Sequence, residues 1–250
     1  MNLSVDIVIP VLNEEDTLAQ CIHNLNNFFS SRSDTHKINI LIADNGSEDS
    51  TLDIAIKLSK QYPNVNYIHL TQRGRGRALK AAWTKSSADI VSYMDVDLST
   101  DLQSFPKLIE AIGLEGYELA IGSRLLKDSI VVNRSPKREF LSRGYSFLFR
   151  ILFFTGFKDA QCGFKAISSK VIHDIIPLIE DNGWFFDTEL LILSEKNGYK
   201  IKEIPVIWTD DPDTRVKIFK TAYEDLKGLL RLRFWGLNKV SRILSSKLKE

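Results

Sequence analysis

Short runs of β-branched and other apolar residues recur through the first hundred residues, and amphipathic segments separate them. Because such runs bounded by turn residues favour strands, they predict buried strands at residues 6–10, 38–43, 64–70 and 89–94. The intervening segments predict helices at about residues 13–29, 49–60 and 78–85. This alternation of strand and helix predicts an α/β fold, with a mostly parallel sheet covered by helices on both faces.

The second half of the chain has a different pattern. Further strands are expected at residues 118–122 and 201–207, and further helices at 168–179 and 188–197. Residues 134–165 carry seven Lys or Arg and only two acids, and an apolar run at 145–157 is embedded there. From Lys227 onward, apolar residues mix with seven basic residues and one acid. We therefore predict one domain over residues 1–217 and a basic, amphipathic, helical tail over 218–250.

The apolar run at 145–157 has two interpretations. It is long enough to be a segment of the core, and its basic flanks also fit a helix that lies in a membrane interface. No stretch of 18 apolar residues occurs, and the amino terminus lacks the pattern of a signal peptide. The expected location is therefore cytoplasmic, with peripheral contact to a membrane.

Composition narrows the possible classes of protein. The chain has 250 residues, of which 44% are hydrophobic, and a net charge of +1. These values argue against a disordered or coiled-coil protein, and against a protein that binds nucleic acid through overall basicity. Two cysteines set no disulfide framework, so we expect free thiols.

Polar clusters follow the predicted strands, and the carboxyl ends of parallel strands meet at one edge of a sheet, where ligands bind. Within one cluster, Asp95 and Asp97 alternate along an extended segment and point to the same side. Two adjacent carboxylates suit a hard cation such as Mg²⁺ or Mn²⁺, which also takes substrate phosphates as ligands. The alternative is a polar loop with solvated acids.

Three other groups have two interpretations each. Asp44, in the turn 44–47, is placed to accept hydrogen bonds from a base or ribose, or forms an ordinary turn. The segment 73–77, Arg-Gly-Arg-Gly-Arg, is similar to a phosphate loop ahead of a helix, or is a basic solvated turn. A set of basic residues fits phosphate oxygens or a solvated helix face, namely Arg124, Arg134, Lys137, Arg138 and Arg143.

Together these segments resemble a known family. Ile-Pro-Val-Leu-Asn-Glu-Glu at 9–15, Asp-Asn-Gly-Ser at 44–47 and Asp-Val-Asp at 95–97 are similar to inverting family 2 glycosyltransferases with a GT-A (Rossmann-like) fold. Gln-Cys-Gly-Phe-Lys at 161–165 and Trp-Phe-Phe-Asp-Thr-Glu-Leu at 184–190 resemble the dolichyl-phosphate glucose and mannose synthases, the glucose branch more closely. The resemblance covers about residues 5–217.

The resemblance implies a set of site residues. The donor nucleotide-sugar would be held by Pro10, Asn13, Glu14, Asp44, Gly76 and Asp95. A Mg²⁺ or Mn²⁺ ion bridging the donor pyrophosphate would be bound by Asp95 and Asp97. The groups nearest the reaction would be Asp97, Arg124, Arg138 and Asp159. The acceptor phosphate would be bound by Arg124, Arg138, Ser142 and Arg215, the last in a basic loop with Lys217.

The implied activity is inverting transfer of a hexose to a polyprenyl or dolichyl phosphate. The donor is UDP-glucose or, as the next candidate, GDP-mannose, because Leu12 and Asn45 depart from the family pattern in the nucleoside pocket. One alternative is a family 2 enzyme that glycosylates a glycan or another hydroxyl, with Asp159 or Asp187 as the base. Another is a catalytically inactive module that binds membrane surfaces.

Overall fold

The computed structural model describes residues 2–32, 36–210 and 218–247. Within these ranges the strands are β1 Ser4–Val11, β2 Lys37–Asp44, β3 Val65–His69, β4 Ile90–Met94, β5 Leu119–Ser123, β6 Ile130–Val132, β7 Phe164–Ser168, β8 Ile201–Pro205 and β9 Ile207–Thr209. The α-helices are α1 Leu18–Ser30, α2 Thr51–Gln61, α3 Arg75–Thr84, α4 Phe105–Gly113, α5 Pro136–Phe153, α6 Ser169–Asp174, α7 Phe186–Lys196, α8 Ile218–Arg231 and α9 Leu237–Lys247.

A mostly parallel sheet organises the described part of the chain, as the sequence predicts. Its seven strands lie in the order β3-β2-β1-β4-β7-β5-β8, and β6 pairs with β9 in a separate two-stranded sheet. In the main sheet, β7 runs antiparallel to both of its neighbours, β4 and β5. The sequence analysis missed this strand. Because β7 runs against the others, it enters the sheet at the edge where they end, and the segment before it, 159–163, lies at that edge.

Side chains alternate across the sheet and build a core on each face. In β1, Val8 contributes to one buried cluster, whereas Ile7 and Ile9 contribute to the other. The first cluster also contains residues of α3, α5 and α7, and the second contains residues of α1, α2 and α4. Helices on both faces are therefore confirmed, and they leave the carboxyl edge of the sheet to the loops.

Helix α5 resolves the two interpretations of the apolar run at 145–157. Phe149 and Phe153 on one side of the helix are buried in the core. On the other side, Phe147 is 67% exposed, and Phe154 directly after the helix is 82% exposed. The run therefore belongs to the core and also presents apolar side chains at the surface. No helix in the described ranges is long and apolar enough to cross a membrane.

The carboxyl-terminal helices pack on the same core. Leu229, Leu232 and Val240 are buried in one cluster with residues of α7. Arg231 of α8 forms a paired hydrogen bond with the carboxylate of Glu189 in α7, with distances of 3.0 and 2.7 Å. The division of the chain at residues 217 and 218 stays a prediction, since residues 211–217 lie outside the described ranges.

Candidate active site

The loops after β1 and β2 are joined by hydrogen bonds at the carboxyl edge of the sheet. The backbone N–H of Asn13 donates to Ser47 Oγ at 2.9 Å, and that of Glu14 donates to Thr51 Oγ1 at 2.7 Å. In return, Asn13 Oδ1 accepts from the backbone of Glu48 at 2.8 Å. Asn13 takes a positive φ of 54°, which asparagine tolerates better than most residues. The residues expected at the nucleoside thus lie on a fixed frame, next to Pro10 in β1.

Asp44 ends β2 at the base of this frame and is fully buried. Its Oδ2 lies 2.6 Å from Nδ1 of His69, and its Oδ1 accepts from the backbone of Ser47 at 3.3 Å. His69 is the last residue of β3 and pairs with Asp44 in the parallel register. The sequence analysis missed His69. The sequence offers one signal for it. Asp44 follows the second predicted strand, and His69 lies near the end of the third.

The two acids of the Asp-Val-Asp segment follow β4 but differ in surroundings. The backbone of Asp95 donates to Gly163 O at 3.2 Å, and a Cβ at Gly163 would come within 1.8 Å of Asp95 Oδ2. Burial raises the pKa of Asp95, and Arg75 opposes this increase. Asp97 is exposed, and its Oδ1 accepts from Ser99 N at 3.0 Å. A side chain at residue 163 would therefore displace Asp95.

This donor set fits a divalent cation that arrives with phosphates. Asp95 and Asp97 offer carboxylate oxygens, the ligands that Mg²⁺ and Mn²⁺ prefer. Among the described residues, no group of three or more His, Cys, Asp or Glu forms a cage for a metal ion. Mg²⁺ commonly uses one or two carboxylates and completes its shell with water and substrate phosphates. The pair of aspartates matches that pattern.

Segment 73–77 approaches the same acids, but not as an open phosphate loop. The N–H groups of Gly76 and Arg77, at the start of α3, donate to Gly183 O and Asn182 O at 3.2 and 3.1 Å. A Cβ at Gly76 would lie 2.6 Å from Phe186 Cβ, so this glycine permits close packing. Carbonyl oxygens thus stand where a phosphate was expected, and the contact of Gly76 with the donor stays a prediction.

A buried cluster under Asp95 joins two of the motifs. Lys165 of β7 is fully buried, and its Nζ lies 2.9 Å from Asp187 Oδ1 and 3.0 Å from Tyr93 Oη. The Tyr93 hydroxyl also donates to Asp187. Burial, together with the charge of Asp187, raises the pKa of Tyr93 well above its ordinary value. Asp187 is committed to these contacts, which makes it a poor candidate for the base of a hydroxyl acceptor.

Arg124 and Asp159 form a buried ion pair beside the acids. The backbone N–H, Nε and Nη2 of Arg124 all donate to the Asp159 carboxylate, at 2.9, 2.8 and 2.9 Å. Burial alone would raise the pKa of Asp159, but the charge and hydrogen bonds of Arg124 lower it to about 2. Asp159 is therefore ionised and fully engaged, so its geometry fits the positioning of Arg124 better than proton abstraction.

The other basic residues surround Arg124. The guanidinium carbons of Arg124 and Arg134 lie 5.2 and 5.6 Å from the centroid of the Trp208 ring. Arg134 also donates to Glu139 at 2.8 Å and to Ser142 Oγ. Because Ser142 accepts this bond, its own hydroxyl proton is available to a further acceptor. Arg134 and Trp208 are site residues that the resemblance did not supply.

One expected acceptor residue lies at the outer end of this group. Arg138, in the first turn of α5, forms an ion pair with Asp210. Arg215 and Lys217 lie outside the described residues. A solvent-open depression lies beside Arg124. Its lining includes Arg124, Ser142, Tyr145, Lys158 and Gln161.

The chain is similar to known proteins in sequence and in fold. Residues 6–176 match the model of "Glycosyl transferase family 2". The chain is 32% identical over 246 residues to glycosyltransferase AglD of Haloferax volcanii, but spans only 38% of that protein. It is 29% identical over 255 residues to dolichyl-phosphate beta-glucosyltransferase of Dictyostelium discoideum, covering 98% of this chain and 78% of the relative. The yeast enzyme of the same name is 28% identical over 247 residues and is covered to 74%.

Solved structures share the fold. Glucosyl-3-phosphoglycerate synthase from Mycobacterium tuberculosis, in complex with Mn²⁺, UDP-glucose and phosphoglyceric acid, superposes with a TM-score of 0.67 at 17% identity, over 92% of this chain and 79% of that one. Mannosyl-3-phosphoglycerate synthase from Rubrobacter xylanophilus gives a TM-score of 0.71 at 17% identity, over 94% and 76%. At such identities the likeness shows the fold, which is the GT-A fold that the sequence predicts. The family match covers well over half of the chain, and this protein therefore belongs to family 2 of the glycosyltransferases.

Proposed function

We propose that the enzyme transfers a hexose from a nucleotide-sugar to a polyprenyl phosphate, with UDP-glucose as the first candidate donor and GDP-mannose as the second. The observation that carries the proposal is that α5 presents polar side chains to the site on one side and apolar side chains to the surface on the other. The site-facing side of its amino-terminal half bears Arg138 and Ser142, and its outer side bears Phe140, Phe147 and Ile151, all more than half exposed. A phosphate with a long apolar chain matches both sides. The names of the dolichyl-phosphate relatives support the same acceptor class.

The charge of the acceptor decides which groups the reaction needs. A phosphate monoester is anionic at neutral pH, so its oxygen attacks without a general base. The new bond to the anomeric carbon forms opposite the departing nucleoside diphosphate, whose bond to that carbon breaks, and the configuration inverts. In this reaction Arg124 and Arg138 would position the acceptor phosphate for attack. Both candidate bases, Asp159 and Asp187, are paired with buried cations, which supports a phosphate over a hydroxyl acceptor.

The proposed donor site is formed around the acids at the carboxyl edge of the sheet. Asp95 and Asp97 would hold a Mg²⁺ or Mn²⁺ ion, which would neutralise charge on the leaving diphosphate. Asp44, held by His69, would accept a hydrogen bond from the base or ribose, and the Asn13–Glu14 turn would bound the pocket. Pro10 and Gly76 would shape the same pocket without donating hydrogen bonds to the nucleotide.

Peripheral membrane contact, on the cytoplasmic face, is the second part of the proposal. Helix α8 and the π-turn after it, Leu232–Gly236, have two apolar sides. One side packs on the core, and the other exposes Tyr223, Leu226, Leu230, Phe234 and Trp235. Lys227 and Arg233 are exposed basic residues in the same two segments. Exposed apolar side chains with basic neighbours favour binding at an anionic lipid surface.

Transfer of label tests the enzymatic proposal. Radiolabelled UDP-glucose and GDP-mannose are each incubated with a short polyprenyl phosphate, in Mn²⁺ and in chelator. We expect metal-dependent lipid-linked label from one donor. Asp97→Ala should lower mainly turnover. Arg138→Ala should raise mainly the KM for the lipid, relative to Lys107→Ala, which removes an exposed lysine from α4. Lipid-linked transfer that Arg138→Ala leaves intact would remove Arg138 from the acceptor site.

Vesicle flotation tests membrane contact separately. The protein should float with anionic vesicles, and Phe147→Glu or Phe234→Glu should reduce the bound fraction. Leu114→Glu is the matched control, because Leu114 is 70% exposed but lies after α4, on neither helix of the proposed surface. Equal loss from all three variants, or no flotation of the unmodified protein, contradicts membrane contact.

A further inference from the structure

Arg75 occupies a position in the site that no step of the proposed reaction uses. Its Nη2 donates to Asp95 Oδ1 at 2.6 Å. Its guanidinium carbon lies 4.8 Å from the centroid of Trp184 and 5.2 Å from that of Tyr93. The side chain is only 15% exposed. A cation thus sits between two aromatic rings with its charge directed at one of the two expected metal ligands.

The contact restricts how Asp95 can bind a metal ion. Its Oδ2 is packed against the backbone of Gly163, which leaves no room for even a Cβ there. Its Oδ1 is the oxygen that Arg75 holds. Mg²⁺ requires oxygen ligands at about 2.0–2.1 Å in near-octahedral geometry. A divalent ion that binds Oδ1 would lie beside the guanidinium, and because like charges repel, the ion binds more tightly once Arg75 has moved away.

Arg75 has a second acid within reach when it moves away. Its Nε is buried without a hydrogen-bond partner and lies 3.9 Å from Asp187 Oδ2. Asp187 is itself fixed through its other oxygen, Oδ1, by Lys165 and Tyr93. A small shift between the flat ring faces would bring Arg75 to Asp187. The guanidinium can leave Asp95 in this way without leaving the site.

We propose that Arg75 is a positioning residue that acts as a placeholder for the divalent cation: it neutralises Asp95 until metal and nucleoside diphosphate arrive together. This inference rests on the proposed metal-dependent use of a nucleotide-sugar. A free ion opposes Arg75 for only two carboxylates, whereas an ion with a diphosphate brings additional ligands and negative charge. Arg75 therefore makes metal binding depend on the nucleotide, and by thermodynamic linkage it makes nucleotide binding depend on the metal.

Titration of Mn²⁺ tests this without measuring transfer. Free Mn²⁺ is followed by electron paramagnetic resonance, with and without UDP, for the unmodified protein, Arg75→Met and Arg75→Lys. Methionine keeps an apolar stem between the rings and adds no oxygen ligand, and lysine keeps the charge. Lys85→Gln is the control, because it removes one positive charge just beyond the other end of α3, away from the site.

If Arg75 is a placeholder, removing its charge should change both the affinity for Mn²⁺ and the effect of UDP on that affinity. Without UDP, Arg75→Met should bind Mn²⁺ about tenfold more tightly than the unmodified protein, because a cation opposing the metal is gone. UDP should then improve Mn²⁺ binding less than it does in the unmodified protein. Arg75→Lys and Lys85→Gln should stay near the unmodified values.

Each other result overturns the inference. If Arg75→Met binds Mn²⁺ no more tightly than Lys85→Gln, or keeps the full effect of UDP, Arg75 does not compete with the metal. If the unmodified protein binds Mn²⁺ equally well with and without UDP, there is no coupling to explain. Should Arg75→Met fail to fold, Arg75→Leu, which also lacks the charge and adds no oxygen ligand, is titrated in its place. If neither Mn²⁺ nor UDP binds at all, the proposed function fails as well.

Discussion

Replacing Asp159 with asparagine removes a charge from the buried ion pair with Arg124 while keeping the shape of the side chain. Asp159 is 3% exposed and receives three hydrogen bonds from Arg124. Its pKa is lowered from 3.8 to about 2. Since one pKa unit corresponds to about 1.4 kcal/mol, ionised Asp159 contributes roughly 2 kcal/mol of stability. That contribution is present above pH 4 and is lost as the pH falls through about 2.

Asparagine also leaves Arg124 as a buried cation without its counter-charge, and breaking a buried pair in this way typically costs about 3–5 kcal/mol. We expect Asp159→Asn to lower the free energy of unfolding at pH 7 by about 2–4 kcal/mol in urea titrations. Asp128→Asn is the control, because Asp128 is exposed just beyond β5. In transfer assays, the variant should raise the KM for polyprenyl phosphate more than it lowers kcat, because Arg124 loses its fixed orientation.

Two results would refute this reasoning. Stability within about 0.5 kcal/mol of the Asp128→Asn control would mean that the ion pair contributes little. A collapse of kcat with unchanged KM, together with loss of the acidic limb of the pH–rate profile, would identify Asp159 as a general base instead of a positioning residue.

Three further substitutions test other parts of the structure. Gly163→Ala should lower metal-dependent turnover and Mn²⁺ affinity, because its Cβ would meet the carboxylate of Asp95. Burial raises the pKa of Asp225 to about 7, so between pH 4 and pH 7 this group is ionised in the unfolded chain but still protonated in the folded protein. The free energy of unfolding should therefore fall by up to roughly 4 kcal/mol over that range. Asp225→Asn should remove that loss and be more stable than the unmodified protein at pH 8. Arg231→Met should cost about 3 kcal/mol in denaturant titrations, because it leaves the buried Glu189 without its cation.

Each of these has a control on the same or a neighbouring element. Gly144→Ala should leave metal-dependent turnover and Mn²⁺ affinity unchanged, since no atom lies within 4 Å of a Cβ at that position. Glu224→Gln should change the slope of stability against pH much less than Asp225→Asn does, because Glu224 is exposed and its charge raises the pKa of Asp225 less than burial does. Arg233→Met should cost little, because Arg233 is exposed. A control that behaves like its partner variant would show that the effect is general to the element and not specific to the named contact.

The strands and site loops could be predicted because their signals are local. β1 through β4 are β-branched runs ended by turn residues, and the Asp-Asn-Gly-Ser and Asp-Val-Asp segments follow two of them directly. Parallel register then brings those loops together without further information. Helix α1 is a partial exception, since it begins at Leu18. Just before the helix, the carbonyl of Glu14 accepts hydrogen bonds from the backbone N–H groups of Thr17 and Leu18 and forms a turn.

The rest of the site depends on contacts between distant residues, which no local pattern encodes. Strand β7 is five residues long, and its direction is set by β4 and β5 on either side. Lys165 and Asp187 are 22 positions apart, and Arg124 and Asp159 are 35 apart. From the sequence alone, each of these charged residues would be expected at the surface. Each is buried in the fold because its oppositely charged partner lies beside it. The motifs therefore identify the site, whereas the pairing within it requires the fold.

A competition between two acceptors tests the proposed reaction most directly. Polyprenyl phosphate and the unphosphorylated polyprenol of the same length are offered together with the donor that supports transfer and Mn²⁺, and the products are identified by mass spectrometry. Transfer to a phosphate positioned by Arg124 and Arg138 predicts hexose on the phosphorylated lipid alone. Hexose on the alcohol, or only free hexose, would contradict it.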